Sequence, residues 1–338
     1  MRLLILTQKV DKLDPVLGFF HRWIEEFSKY FEKITVICLE KGEYHLPPNV
    51  LVLSLGKETK KSRLSYLINF YKYLFSIREY DSVFIHMNQE YVLLGGLFWK
   101  LTGKKILLWR NHLMGNFLTT VAVWFSDRVF CTSPRSFTAK FKKTQLMPVG
   151  IDTDYFKPDF SQPQKSNSIL FLGRIAPVKN VEAFVDMLTA LKKNVPFSAT
   201  IAGGALPEDS KYENYIHTKV KENNLSDSVY FAGAVKQEKA RELYRQHKFY
   251  VNFTASGSMD KAIFEALACG MIPLVYNQEL IEDLGKDHVV ENLNPKETAK
   301  KMLDLMQAKD ATFRQYVIEN HNLQKLKEQL MTFVNIET

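Results

Sequence analysis

The stretch from residue 251 to 276, VNFTASGSMDKAIFEALACGMIPLVY, limits the choice of fold more than any other part of the chain. Val251, Asn252 and Phe253 read as the end of a strand, Thr254 to Ser258 as a polar turn, and Ile263, Phe264, Leu267 and Ala268 recur at helical spacing. Ser258 is the expected N-cap. Gly270 stands just past the last helical residue, where a left-handed conformation ends a helix, and Ile272 to Val275 is an apolar run suited to a buried parallel strand. A glycine and serine turn feeding a helix leaves backbone N–H groups unpaired at the positive end of the helix dipole, so it favours an anion such as phosphate. Glu265 follows Ser258 by seven residues, close to two turns, so its carboxylate shares the face on which the helix opens and can hold ribose or sugar hydroxyls. A surface ion pair between Lys261 and Glu265, at i and i+4, is the alternative.

The rest of the chain repeats this alternation. Strands are expected at 2–6, 34–39, 50–53, 82–86, 105–109, 128–131 and 145–147, with helices at about 15–31, 62–77, 91–101 and 117–125. A polar, proline-bearing segment at 154–167 reads as a linker, after which the pattern restarts with strands at 168–172, 198–202, 229–231 and 249–253. Helices are expected between them at 178–193, 212–223 and 239–247, with two more near 295–307 and 312–333. The division is therefore residues 1–153, a linker at 154–167, residues 168–312, and a C-terminal helix at 313–338 packing back toward the first domain.

Charge separates the two halves. The first 150 residues carry 22 Lys and Arg against 12 Asp and Glu, while the remainder carries 23 against 25. A basic domain can serve nucleic acid, anionic lipid or a phosphorylated substrate. In the helix expected at 62–77, Leu64, Leu67, Ile68, Tyr71, Leu74 and Phe75 share one side, Tyr66, Phe70, Tyr73 and Ile77 spill around it, and Lys57, Lys60, Lys61 and Arg63 precede or open it. That mixture suits the interface of an anionic membrane, and a core helix with a basic start is the other reading. Cys38, Cys131 and Cys269 have no paired spacing, the opening apolar run is too short for a signal peptide, and no later run approaches a membrane span. The expected location is cytoplasmic, peripheral on the inner face of a membrane.

Gly173, Arg174, Ile175, Ala176, Pro177, Val178 and Lys179 follow a buried strand, in the loop where open α/β sheets bind ligands. An arginine fork and a lysine point charge beside a helix N-terminus would neutralise a diphosphate. Together, FLGRIAPVKNVEAFVDML and GSMDKAIFEALACGMIPLV resemble the donor-binding signatures of the retaining GT-B glycosyltransferases of the glycogen synthase and phosphatidylinositol mannosyltransferase kind, often called family four. PVGIDTDYF resembles the family's hinge between domains. The resemblance implies an α/β chain of two Rossmann-like doubly wound domains facing each other across a cleft. It implies a hexosyltransferase moving sugar with retention from a nucleoside diphosphate sugar to a hydroxyl of a glycan or lipid-linked acceptor, in cell-surface polysaccharide or glycolipid biosynthesis. By the same resemblance Arg174 and Lys179 bind the diphosphate, Glu265 holds the ribose, and Gly18 belongs to a loop over the phosphates. His112 stands beside the reacting sugar, with His86 as its rival.

The family often carries two glutamates separated by seven residues, and the first falls on Gly257, so that partner is absent. Ser258 and Met259 are expected to contact the sugar through backbone N–H groups, with Asp260 or Lys261 supplying a side chain. Asp152, Thr153 and Asp154 spell the D-x-D of metal-dependent transferases but sit in the hinge-like segment, so no metal and no cofactor are expected. Competing classes are a nucleotide-sugar epimerase on the same plan and a basic protein with a disabled site that binds membrane or nucleic acid. A dehydrogenase would require a G-x-G-x-x-G turn, which residues 7–18 lack, and no nucleic acid is expected as a partner. Donor base and sugar, acceptor, linkage and oligomeric state are not legible.

Overall fold

The chain forms two units, residues 1–147 with the segment from Leu326 onward, and residues 148–325. The computed structural model describes the whole chain except residues 15, 61, 162–163, 258, 309–312 and 335–338. Expectations that fall on Pro15, Lys61, Ser258 and Thr312 lie outside the described residues.

Unit 1 runs β1 (Arg2–Val10), α1 (Gly18–Phe27), β2 (Lys33–Lys41), β3 (Val50–Ser54), α2 (Arg63–Ser76), β4 (Ser82–His86), α3 (Glu90–Leu101), β5 (Lys105–Trp109), α4 (Phe117–Phe125), β6 (Arg128–Cys131) and β7 (Thr144–Leu146). The strands pair in parallel in the order β3-β2-β1-β4-β5-β6-β7. Parallel strands are joined by helical crossovers that cover both faces, which is why β4 is buried at every position. Leu4, Leu6, Ile85, Leu108, Phe70, Leu74 and Trp99 fill one side. On the other, Trp23 of α1 meets Trp109 edge-on at 5.1 Å and Phe27 meets Phe84.

β1 is longer than expected, running through Thr7 to Val10 in place of a loop. Thr7 is buried opposite Cys38, and Lys9 opposes Glu40 with its Nζ 2.9 Å from that carboxylate and 3.0 Å from Asp14. A cross-strand ion pair keeps polar residues in the ladder. α2 buries only Phe70 and Leu74, while Leu64, Leu67, Ile68 and Phe75 are exposed, so the reading as a core helix does not hold for most of its apolar residues. The aromatic side won because Phe70 stacks on Tyr91 and Tyr73 reaches the Ser54 carbonyl.

Unit 2 runs β8 (Lys165–Leu172), α5 (Val181–Leu191), β9 (Ser198–Ala202), α6 (Ser210–Glu222), β10 (Val229–Gly233), α7 (Gln237–Gln246), β11 (His247–Asn252), α8 (Lys261–Ala268), β12 (Ile272–Val275), α9 (Ile281–Leu284), α10 (Pro295–Gln307) and α11 (Arg314–Asn320), and α12 (Leu323–Val334) leads out of it. Its parallel sheet has the order β10-β9-β8-β11-β12. Successive residues face opposite sides: Phe171 and Val251 join Phe184, Leu188 and Met302, whereas Leu170 and Tyr250 join Tyr244, Phe264 and Leu267. The single helix expected at 312–333 is two, because the chain bends at His321. There the His321 carbonyl accepts from Gly150 N and Ile151 N, and Leu323 N donates to the Ile151 carbonyl.

Candidate functional site

In unit 2 the strand order reverses between β8 and β11, so the loops leaving those two strands lie side by side at the carboxyl edge, where doubly wound sheets open a crevice. The loop after β8 holds Gly173, whose N–H donates to the Ala202 carbonyl, and exposed Arg174, whose side chain makes no hydrogen bond or ion pair with a described residue. A short 3-10 turn, Pro177–Lys179, leads to Asn180 in the left-handed region (φ 52°), and α5 begins there without a side-chain cap. The N-terminal N–H groups of α5 therefore face the same edge. Asn180 instead sends its Nδ2 2.8 Å to the Phe253 carbonyl, clipping the β8 loop to the end of β11.

The second clip is ionic. Lys179 Nζ stands 2.5 Å from Asp260 Oδ2, and both side chains are about four-fifths covered. Asp260 Oδ2 also accepts from Asn252 Nδ2 at 3.2 Å, while its Oδ1 accepts from Ala262 N and so caps α8. Burial pushes the Asp260 carboxyl up, and Lys179, Asn252 and the Ala262 N–H together hold it below its ordinary value. The expected N-cap, Ser258, is thus replaced by Asp260, since α8 starts only at Lys261. Asp260 is engaged inside the protein, and Met259 is half-buried against the core on the α8 side.

Lys261 and Glu265 are not a surface pair. Lys261 Nζ donates to the carbonyls of Val149 and Gly150 at 3.0 and 3.1 Å, and Glu265 accepts from the Tyr244 hydroxyl at 3.1 Å. Burial dominates both, lowering the Lys261 amine and raising the Glu265 carboxyl, each to about 7, while their mutual attraction opposes it. Gly257 has φ 110°, a conformation open to glycine and costly for any side chain, and its N–H donates to Glu279 Oε1 at 2.5 Å. Unit 2 thus brings Gly173, Arg174, Lys179, Gly257, Asp260 and Glu265 to adjoining loops and one helix, with Asn180, Tyr244, Asn252 and Glu279 as members that sequence reasoning missed. Of these, Asn180 sits at a helix start, a common place for asparagine, but here it takes a left-handed φ of 52° with no side-chain cap.

Unit 1 carries the other candidates. Gly18 is the first residue of α1, its N–H donating to the Asp14 carbonyl, and a Cβ there would come within 3.2 Å of the Lys12 carbonyl oxygen. His112 lies in the loop after β5, largely open to solvent, and partial enclosure of its ring, with Arg110 nearby, lowers its pKa. His86 is enclosed, stacked on Phe20 at 3.9 Å between ring centres with its Nδ1 3.4 Å from Thr7 Oγ1. Asp152 caps a turn, its Oδ1 accepting from Asp154 N and Tyr155 N.

Two parallel, doubly wound sheets in one chain, the second with a cationic loop and a buried carboxylate at its switch point, define the GT-B class of glycosyltransferase. The chain belongs to the family described as glycosyl transferases group 1, which it matches over residues 152–325. Solved structures share the fold at low identity. Alr3699/HepE of Anabaena, in complex with UDP, is 17% identical with a TM-score of 0.79 over 99% of both chains. The sucrose-phosphate synthase tll1590 of Thermosynechococcus elongatus is 16% identical with a TM-score of 0.74 over 98% of both. By sequence, a phosphatidylinositol N-acetylglucosaminyltransferase chain of Arabidopsis thaliana is 22% identical over 219 residues, 57% of this chain and 48% of that protein. Alpha-monoglucosyldiacylglycerol synthase of Streptococcus pneumoniae is 23% identical over 196 residues, 52% of this chain and 42% of that one. The chain spans less than half the length of these two relatives.

Proposed function

We propose that the protein transfers a sugar, with retention, from a uridine diphosphate sugar to a hydroxyl of a lipid-linked or glycan acceptor. The observation that carries this reading is the Lys179–Asp260 bridge, which ties the cationic loop after β8 to the helix bearing Glu265 at the switch point of one sheet. Arg174, Lys179 and the N-terminus of α5 would stabilise the departing diphosphate, and Glu265 would hold the ribose. Uridine is favoured by solved relatives of the same fold described in complex with UDP-glucose, HepE and an alpha-glucosyltransferase. Gly18 and His112 belong to unit 1, and the parts proposed for them, covering the phosphates and binding a sugar hydroxyl, rest on the family resemblance alone. So do backbone contacts to the sugar from Gly257, Ser258 and Met259. Titration with UDP tests the site: wild-type protein binds, and Arg174→Ala binds about 10- to 100-fold more weakly, the loss of one or two charge-assisted bonds. Unchanged affinity in that variant would remove Arg174 from the proposal, and no binding of UDP by the wild type would remove the donor.

A lipid acceptor fits the outer surface of unit 1. α2 packs on α3, with Phe75 against Phe98 and the Tyr71 hydroxyl on the Leu94 carbonyl, and Gly96 of α3 lies against Phe125 at the end of α4. Across this layer Leu64, Ile68 and Phe75 of α2, Leu97 and Leu101 of α3, and Phe117 and Trp124 of α4 are all more than half exposed. Lys57, Lys60, Arg63 and Lys72 stand exposed on or beside α2. No helix among the described residues is long and apolar enough to cross a membrane, so the fit is to a surface. The protein is expected to float with vesicles containing phosphatidylglycerol at low salt. Lys60→Glu with Arg63→Glu should weaken that binding roughly 30-fold or more, at about 1 kcal/mol per basic residue removed and a further penalty for each acid added. Equal behaviour of wild type and variant would refute the surface.

A further inference from the structure

The geometry points to Glu279 as the carboxylate that reads the hydroxyls of the transferred sugar, taking the place of a side chain that Gly257 cannot supply. The inference rests on the proposed function. At φ 110° residue 257 has to be glycine or strained, so the turn after β11 presents a backbone N–H and no side chain. Into that gap comes a side chain from the next strand: β12 lies beside β11, and the turn after it delivers Glu279 Oε1 to the Gly257 N–H.

Glu279 is held there by its neighbours. Its own N–H is capped by Asn277 Oδ1, Gln278 N donates to Ser256 Oγ, and Gln278 Nε2 donates to the carbonyls of Tyr276 and Val290. The two turns are thus clamped at successive residues, which fixes the carboxylate before any ligand arrives. A carboxylate offers about four acceptor positions, enough to keep the Gly257 bond and its other contact and still accept from sugar hydroxyls.

Charge along the sheet edge sets which part of a ligand it meets. The order β8-β11-β12 places the cationic loop with Arg174 at one end, the Lys179–Asp260 bridge in the middle and Glu279 at the other. Two strand spacings, about 10 Å, separate the ends. A diphosphate is attracted to the first and repelled by the last, so the Glu279 end is left to the uncharged, hydroxyl-rich part of the donor.

Glu279→Gln tests this, because the amide oxygen still accepts from the Gly257 N–H and preserves the clamp while the charge is lost. The probes are UDP and the panel UDP-glucose, UDP-galactose and UDP-N-acetylglucosamine, measured by calorimetric titration on the full chain. UDP affinity should stay within about twofold, while affinity for the best nucleotide sugar, and kcat/KM with it, should fall about tenfold or more. Glu279→Asp, which keeps the charge but shortens the reach, should show the same split and stands in if the glutamine variant fails to fold. Parallel loss of UDP and nucleotide sugar would assign Glu279 to loop structure alone, and no loss in either would remove it from the site. Both outcomes overturn the inference while leaving the donor site intact, whereas a wild type that binds neither UDP nor any of the sugars overturns both.

Discussion

Replacing Lys179 with alanine is expected to lower kcat/KM by about 10²–10³ and to destabilise unit 2 by about 3 kcal/mol. The first effect follows from the place proposed for Lys179, beside the departing diphosphate. The second arises because Asp260 keeps only Asn252 and the Ala262 N–H once its ion-pair partner is gone. Burial, the largest influence on that carboxyl, then acts with less opposition and carries its pKa above the ordinary carboxylate value. A folded-state pKa above the unfolded one gives stability that is present below the unfolded pKa and lost as pH rises. The deficit of the variant against wild type should therefore be full at neutral pH and shrink toward pH 4. Thermal melts across pH 4–8 measure it. The double variant Lys179→Met with Asp260→Asn should recover most of the melting temperature and none of the activity. Recovery of activity as well would show that Lys179 serves the fold and not the donor.

Glu265→Ala is expected to reduce kcat/KM about 10²-fold, through loss of the hydrogen bonds proposed for it to the ribose, and to change how stability depends on pH. In the wild type the carboxylate is what holds the buried Lys261 amine up near 7 against the larger effect of burial. Without it the amine falls further. A lysine with a depressed folded-state pKa contributes stability that is complete above the unfolded value, near 10.5, and lost as pH falls toward the folded value. Above about pH 7 the amine is neutral in both folded proteins, so the difference in melting temperature between variant and wild type should be level there and should climb as pH rises from 5 to 7. A flat difference between pH 5 and 7 would mean that burial shifts neither the Lys261 amine nor the Glu265 carboxyl.

The strand, helix and strand around Glu265 were legible because each signal was local. The end of β11, then α8 and β12, fall within the expected stretch, and Gly270 takes φ 85° just past the helix end. The family and the fold class followed from that unit and from the loop after β8. What stayed hidden depends on distant neighbours. Nothing near position 279 says that its carboxylate will meet Gly257, 22 residues earlier, and Asn180 finds Phe253 across 73 residues. Asp260 outcompeted Ser258 as the helix cap because Lys179 and Asn252 fix its carboxylate at the helix start, a bond pattern that spans two loops. On α2 the apolar residues run nearly all round, so the 3.6-residue period offers two inward faces. The choice fell to the aromatic rings of its neighbours, Tyr91 above all.

The segment from Leu326 onward belongs with residues 1–147, and it brings Lys327 Nζ to within 2.8 Å of Glu26 and the Phe333 ring to 5.3 Å from Phe130. On the ribosome this separates two pieces of one folding unit by the whole of the other unit. At about 5–20 residues per second, the early piece waits roughly 10–35 s while the whole second unit is made. During that interval Glu26 has Lys29 and Arg22 for company, and Phe130 lacks its closing ring. Completion of the first unit thereby waits until the second has been made, and its early strands and helices go without their last packing partner for that time.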